Sequence, residues 1–187
     1  MPSLSEADRK SLLDLARFAV NEAVLHERLP ANIPKEGICA ERCGVFVTLN
    51  VNGKLHGCIG VVEPEETLGE AIVRSAASAA KSDPRFPPLK SEELSGLKVE
   101  ISLLSPLEPV GADAYEIGKH GLLILQGQHR GLLLPQVAIE HRLSREQFLE
   151  ETCRKAGLPR EAWRDPQTRI LGFTCEVFSE ERFPAAS

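Results

Sequence analysis

Cys58 sits in the run Leu55-His56-Gly57-Cys58-Ile59-Gly60, which places a thiol, an imidazole and two glycines within six residues. In an extended strand alternate residues share a face, so the spacing predicts His56, Cys58 and Gly60 on one side and Leu55, Gly57 and Ile59 on the other. At about 3.3 Å of rise per residue the His56 and Cys58 stems lie about 7 Å apart. A cationic imidazole at that range favours the thiolate, the form of cysteine that attacks electrophiles. The two side chains could equally reach one ligand. Gly57 and Gly60 leave the backbone bare, as is needed where a ligand or another segment comes close. The plain alternative is a small buried thiol in a glycine-rich strand, packing as a modest hydrophobe.

A second candidate is His120 in Gly118-Lys119-His120-Gly121, where the flanking glycines leave the imidazole sterically free at the mouth of a strand. A surface turn histidine fits the same residues. Glu100 falls on the polar side of an alternating segment and could orient a base, or stand as a solvated carboxylate. Cys39 and Cys43 have a C-x3-C spacing, but two thiols do not complete a structural zinc site. Phe46 stands where a third thiol of a radical-type iron–sulfur site is wanted, so no metal is assigned. Cys153 and Cys175 fall within a helix and an apolar strand and are expected to be structural. No Walker loop, dinucleotide fingerprint or H-E-x-x-H is present, and no cofactor is assigned.

The elements that position these residues follow from pattern. Ser5 with Asp8 forms a capping box that opens a helix reaching about Leu29. Val45–Leu49 and Lys54–Ile59 flank Asn52-Gly53, a dipeptide suited to the positive φ angles of a tight hairpin, so 45–51 and 54–60 are expected to pair antiparallel. Thr67 with Glu70 opens a second helix through Ala80, rich in alanines that permit close approach. The prolines of Asp83-Pro84-Arg85-Phe86-Pro87-Pro88 make that stretch a shaped loop. Leu97, Val99, Ile101 and Leu103 alternate as a half-buried strand. Two strands are expected at 122–125 and 132–134 around a turn at 127–131. A helix opens at Ser144 and Gln147 and is capped by Gly157, and a last strand carries Phe173, Cys175 and Val177. Tight turns with only some helices between strands predict an α+β fold with a mainly antiparallel sheet.

The 187 residues suit one domain spanning 1–187, with a minor lobe expected within about 60–95. A formal net charge of −5, one Trp and one Tyr give neither a basic footprint nor a stacking platform for nucleic acid. No apolar run approaches the roughly 20 residues needed to cross a bilayer, so no membrane partner is expected. Residues 1–6 lack the basic stretch and apolar core of a secretory signal, and the five cysteines are odd in number and unevenly spaced. A cytoplasmic location with reduced thiols is expected.

Several of these segments, taken in order, resemble the AMMECR-domain proteins. They are Gly44–Leu49, Leu55–Gly60, Asp83–Pro88, Glu100–Ser105, Gly118–Leu122, Leu132–Ala138 and Thr152–Pro159, and together they span nearly the whole chain. Bacterial and archaeal members of that family are similar to the first component of the AmmeMemoRadiSam system. Its companions are a Memo-like protein, related to ring-opening dioxygenases, and a radical SAM protein. The resemblance implies an antiparallel sheet with flanking helices and a smaller lobe, with a cleft between them. Cys58, Gly57, Gly60, Arg85, His120 and Gly121 match the family pattern. His56 departs from it, standing where arginine is common, so a permanent bidentate anion clamp is missing at that position.

Two readings follow. In the first the chain is a thiol-centred enzyme or enzyme component, with Cys58 as nucleophile and His120 or His56 as proton acceptor. Arg85 anchors an anionic group, and His56, Gly57, Gly60 and Glu100 line the substrate site. Cys58, Arg85 and His120 are then expected to line one cleft. In the second the chain is a non-catalytic binding or adaptor subunit that presents a ligand or docks to the Memo-like and radical SAM partners through the rigid 83–89 loop.

Overall fold

A computed structural model describes residues 4–182; the first three residues of the N-terminal stretch read above lie outside the described residues. The chain forms two compact units, one running up to Leu104 and resuming at Glu176, the other comprising Ser105–Cys175. Residues 60–95, where the sequence suggested a minor lobe, fold with the first unit, because their helix packs on the hairpin. The fold is α+β, and every strand pairing described below is antiparallel.

In the first unit, helix α1 (Glu6–His26) opens on the expected box: Ser5 Oγ accepts from Asp8 N–H, and Asp8 Oδ2 accepts from Ser5 N–H at 2.9 Å. It stops short of Leu29 because Glu27 turns into the left-handed region at φ 52°. Strands β1 (Val45–Val51) and β2 (Lys54–Val61) turn at Asn52 and Gly53, both with positive φ, as a two-residue hairpin requires. Helix α2 (Leu68–Lys81) starts at the Thr67–Glu70 box, and β3 (Leu97–Leu104) pairs with the far side of β1. Val45, Val47 and Leu49 of β1 and Val99, Ile101 and Leu103 of β3 are fully buried on one sheet face, in a core shared with Leu12, Ala16, Leu68 and Ile72 of the two helices. An ion pair fastens the end of the chain to this unit. Arg17 donates to both carboxylate oxygens of Glu180 and to Leu97 O, while Glu180 Oε2 accepts from Val99 N–H at 2.8 Å.

The second unit holds β4 (Glu108–Pro109), β5 (His120–Gln126), β6 (His129–Leu133), α3 (Pro135–Glu140), α4 (Arg145–Lys155) and the start of β7 (Arg169–Ser179). Strand β5 lies between β6 and β7. The turn is tighter than expected: Gln126 pairs with His129, and Gly131 belongs to β6. The reason is packing, since a Cβ on Gly131 would lie 2.2 Å from Ala156 N. Helix α3 was not legible; Pro135 opens it at its first turn, where a missing N–H costs nothing. Helix α4 begins at the Ser144–Gln147 box, and Gly157 follows it at φ 73°. Tyr115, Leu122, Ile124, Phe148 and Cys153 form the centre of this core. Phe173, Cys175 and Val177 do not keep one phase along β7: Phe173 and Phe178 are both buried, an odd number of positions apart, and Val177 is exposed. Among the described residues no helix is long and apolar enough to cross a membrane.

Candidate functional site

The hairpin carries a register shift. Asn50 pairs with Leu55 and Leu49 pairs with Gly57, so His56 is an extra residue, bulged out of the ladder. Residues paired directly across two strands share a face. Gly57 and Ile59, opposite the buried Leu49 and Val47, therefore face the core, while Cys58 and Gly60, opposite Thr48 and Phe46, face away from it. Leu55 departs from the expected pattern: it is opposite Asn50 and 46% exposed, because the bulge breaks strict alternation between Leu55 and Gly57.

Strand β2 has β1 on one side only, so its outward backbone groups need other partners. At Cys58 these are supplied by side chains of the proline loop. Asp83 Oδ2 accepts the Cys58 N–H at 2.9 Å, and Arg85 Nη2 donates to the Cys58 carbonyl at 3.0 Å. Arg85 in turn grips the same carboxylate through Nε to Oδ1 at 2.9 Å and Nη2 to Oδ2 at 2.7 Å. One acid and one guanidinium thus make the two bonds that a neighbouring strand would make. The Asp83 side chain is 1% exposed against 51% for Arg85. The Arg85 hydrogen bond, reinforced by the backbone N–H groups of Cys58 and Arg85, holds the Asp83 carboxyl well below the usual carboxylate range although burial opposes this. Asp83, through its hydrogen bonds, in turn raises Arg85. The loop is pinned where it leaves the helix and where it ends: Phe86 N–H donates to Asp83 O at 3.1 Å and Leu89 N–H to Ala80 O at 2.7 Å.

The side chains around the thiol are arranged by the same elements. Thr48 Oγ1 donates to Cys58 Sγ at 3.3 Å. Thr48 also pairs with Glu100 on its other side, so thiol, hydroxyl and carboxylate stems stand in one row across β2, β1 and β3. At about 4.8 Å per strand spacing, the outer two stems are about 10 Å apart. The His56 ring stacks on Phe86 with centroids 6.1 Å apart and planes at 20°, and the Arg85 guanidinium lies 5.4 Å from the same Phe86 centroid. His56 Nε2 is buried and makes no hydrogen bond. Of the two occupants that Gly57 and Gly60 could admit, protein fills both spaces: a Cβ on Gly57 would meet Ala79 O at 2.2 Å, and one on Gly60 would meet Val45 O at 2.2 Å and Phe46 at 2.6 Å.

Cys58, His56, Arg85 and Glu100 are thus all carried by the first unit, three of them in one contact network. His120 belongs to the second unit, at the start of β5 opposite Thr174. Its Nδ1 accepts the Glu116 N–H at 3.1 Å, which assigns the proton of the neutral ring to Nε2. Asp83 and Thr48 escaped the sequence reading. Asp83 was signalled only by its place two residues before Arg85 in a rigid loop, and Thr48 only by a register that the bulge changes.

All five cysteines are free thiols. Burial pushes Cys39, Cys43, Cys153 and Cys175 upward, Cys175 to about 12, which makes these four poor nucleophiles. Among the described residues no group of three or more His, Cys, Asp or Glu side chains could hold a metal ion.

The AMMECR1 family model matches residues 13–178. The chain belongs to the AMMECR1 family. Among AMMECR1 relatives, a protein of Methanothermobacter thermautotrophicus is 43% identical over 95% of this chain and 97% of its own length. Protein TK0174 of Thermococcus kodakarensis is 46% identical over 91% of this chain and 89% of its own. A crystal structure of uncharacterized protein PH0010 from Pyrococcus horikoshii superposes with a TM-score of 0.88 at 39% identity, covering 95% of this chain and 94% of that one.

Proposed function

We propose that this AMMECR1-family chain is a cytoplasmic, thiol-centred small-molecule enzyme, or a component of one, working through Cys58 with Memo-like and radical SAM partners. The observation that carries the reading is the pair of donors beside the sulfur: the Thr48 hydroxyl on Sγ and the Arg85 guanidinium on the carbonyl of the same residue. A hydroxyl donor on the sulfur is the kind of contact that a nucleophilic cysteine uses, and Arg85 fixes the backbone that carries it. His56, with a buried and unpartnered Nε2, is the proton acceptor nearest in sequence. Arg85 is already neutralised by Asp83, so it serves this site by holding Cys58 more than by anchoring a substrate anion.

The alternative is a non-catalytic binding or adaptor subunit, favoured by the proline loop itself, which is pinned at both ends and presents a half-exposed guanidinium. Alkylation by iodoacetamide separates the two, with the other four cysteines as internal controls, Cys39 and Cys153 being the buried ones. A thiol-centred site requires Cys58 to be modified first and at neutral pH, and requires substrate turnover to be lost in Cys58→Ser. A Cys58 as inert as Cys153 leaves the adaptor reading. His120→Ala in the same assay asks whether the second unit takes part in the chemistry.

A further inference from the structure

The second unit contains a hollow of about 710 Å³ between α3, α4 and the end of β6, built from residues with no part in the Cys58 network. Its apolar wall is Leu133, Val137 and Leu143, three half-buried side chains at the edge of the Tyr115–Phe148 core. Its polar rim comes mainly from the last turn of α4. There Glu151 is already held by Arg154 at 2.5 Å and by Arg160 at 3.3 Å. Lys155 has no carboxylate partner among the described residues, which leaves its ammonium as the unmatched charge of the lining. His141, exposed at the end of α3, adds a second nitrogen donor on the same rim.

The hollow is preformed. A Cβ on Gly131 would strike Ala156 N at 2.2 Å, so the end of α4 lies directly on β6 with no slack. His129 Nδ1 contacts Ala156 O at 3.2 Å, and Leu158 N–H donates to Cys153 O at 3.0 Å, closing the turn after the helix. A rigid concavity with an apolar wall on one side and convergent polar groups on the other suits a small molecule that is itself part apolar and part charged. We propose that it binds a small amphipathic anion, a single carboxylate on a short apolar chain. The chain lies against Leu133, Val137 and Leu143, and the carboxylate meets Lys155, with His141 and Arg154 beside it. This site does not depend on the reading of Cys58.

The test is a titration of the ¹⁵N-labelled full chain with hexanoate, followed by two-dimensional NMR, with hexanamide as the uncharged counterpart. Saturable shifts confined to the residues of this hollow are expected for hexanoate, with binding weaker for hexanamide by about tenfold, the worth of one charge-assisted hydrogen bond. Lys155→Gln, an exposed change that leaves the core intact, should reduce hexanoate to the hexanamide level. Val137→Trp should fill the cavity and abolish both. The proposal is overturned if hexanoate fails to saturate, if the shifts map elsewhere, or if Lys155→Gln or the uncharged ligand makes no difference.

Discussion

Asp83 accepts the backbone N–H of Cys58 at 2.9 Å across twenty-five positions of sequence, and the same carboxylate is gripped by Arg85. The candidate nucleophile is therefore held from outside its own strand, by a loop whose prolines restrict its backbone. A change in that loop is felt at Cys58 without any substitution in the hairpin.

Asp83→Asn tests this hold. Loss of the buried carboxylate should cost about 2–3 kcal/mol, the range for hydrogen bonds to a charged group left unmade, and should speed amide exchange at Cys58 selectively. The pH dependence has a definite sign. The carboxyl is depressed in the folded chain, so its stabilising contribution is complete above the ordinary value of about 4 and is lost only as pH falls through the lower, folded value. The difference in melting temperature between wild type and Asp83→Asn should stay constant from neutral to mildly acid pH and shrink only in stronger acid. A difference that disappears near pH 6 would show that another group controls the clip.

Thr48→Val removes the hydroxyl that donates to Cys58 Sγ while keeping the shape of the side chain. Alkylation of Cys58 near neutral pH should slow by about fivefold, as befits one hydrogen bond of about 1 kcal/mol. Thr48→Ser should restore the rate. Equal rates in all three proteins would remove Thr48 from the site.

Gly57→Ala should destabilise the first unit by about 2–3 kcal/mol, because the added methyl meets backbone of α2 that cannot swing aside. Gly53→Ala meets nothing and is strained only by its φ of +76°, so about 1 kcal/mol is expected there. Denaturant unfolding of the two variants checks the order.

Glu180→Ala leaves Arg17 without its carboxylate and Val99 N–H without an acceptor. A loss of about 2–3 kcal/mol is expected for this partly exposed pair. Because the removal strands a cation, Arg17→Met added to Glu180→Ala should recover part of the loss, which thermal unfolding would read directly.

The capping boxes at Ser5, Thr67 and Ser144, the Asn52-Gly53 hairpin and the alternating β3 were legible because each is a local agreement between residue type and backbone need. What eluded the sequence was register. In an unbroken ladder from the Asn52-Gly53 turn, Cys58 would pair with Val47 and point into the core. The bulge at His56 moves it opposite Thr48, and a one-residue shift exchanges the two faces of a strand. Strict alternation put His56, Cys58 and Gly60 on one face but could not say which face was the buried one. Asp83 was hidden for a different reason. Besides Arg85, its partner is the backbone N–H of Cys58, which carries no sequence signal.

The clip on Cys58 also bears on how this chain behaves among copies of itself. An edge strand with bare N–H and C=O groups is a template on which a foreign strand can be added, the first step toward aggregation. At Cys58 that template is already filled by Asp83 and Arg85, so the chain supplies its own stopper in the middle of β2. Conditions that protonate Asp83 therefore do more than loosen a residue of interest. They also free the Cys58 N–H, one of the two backbone groups that the clip keeps from a foreign strand.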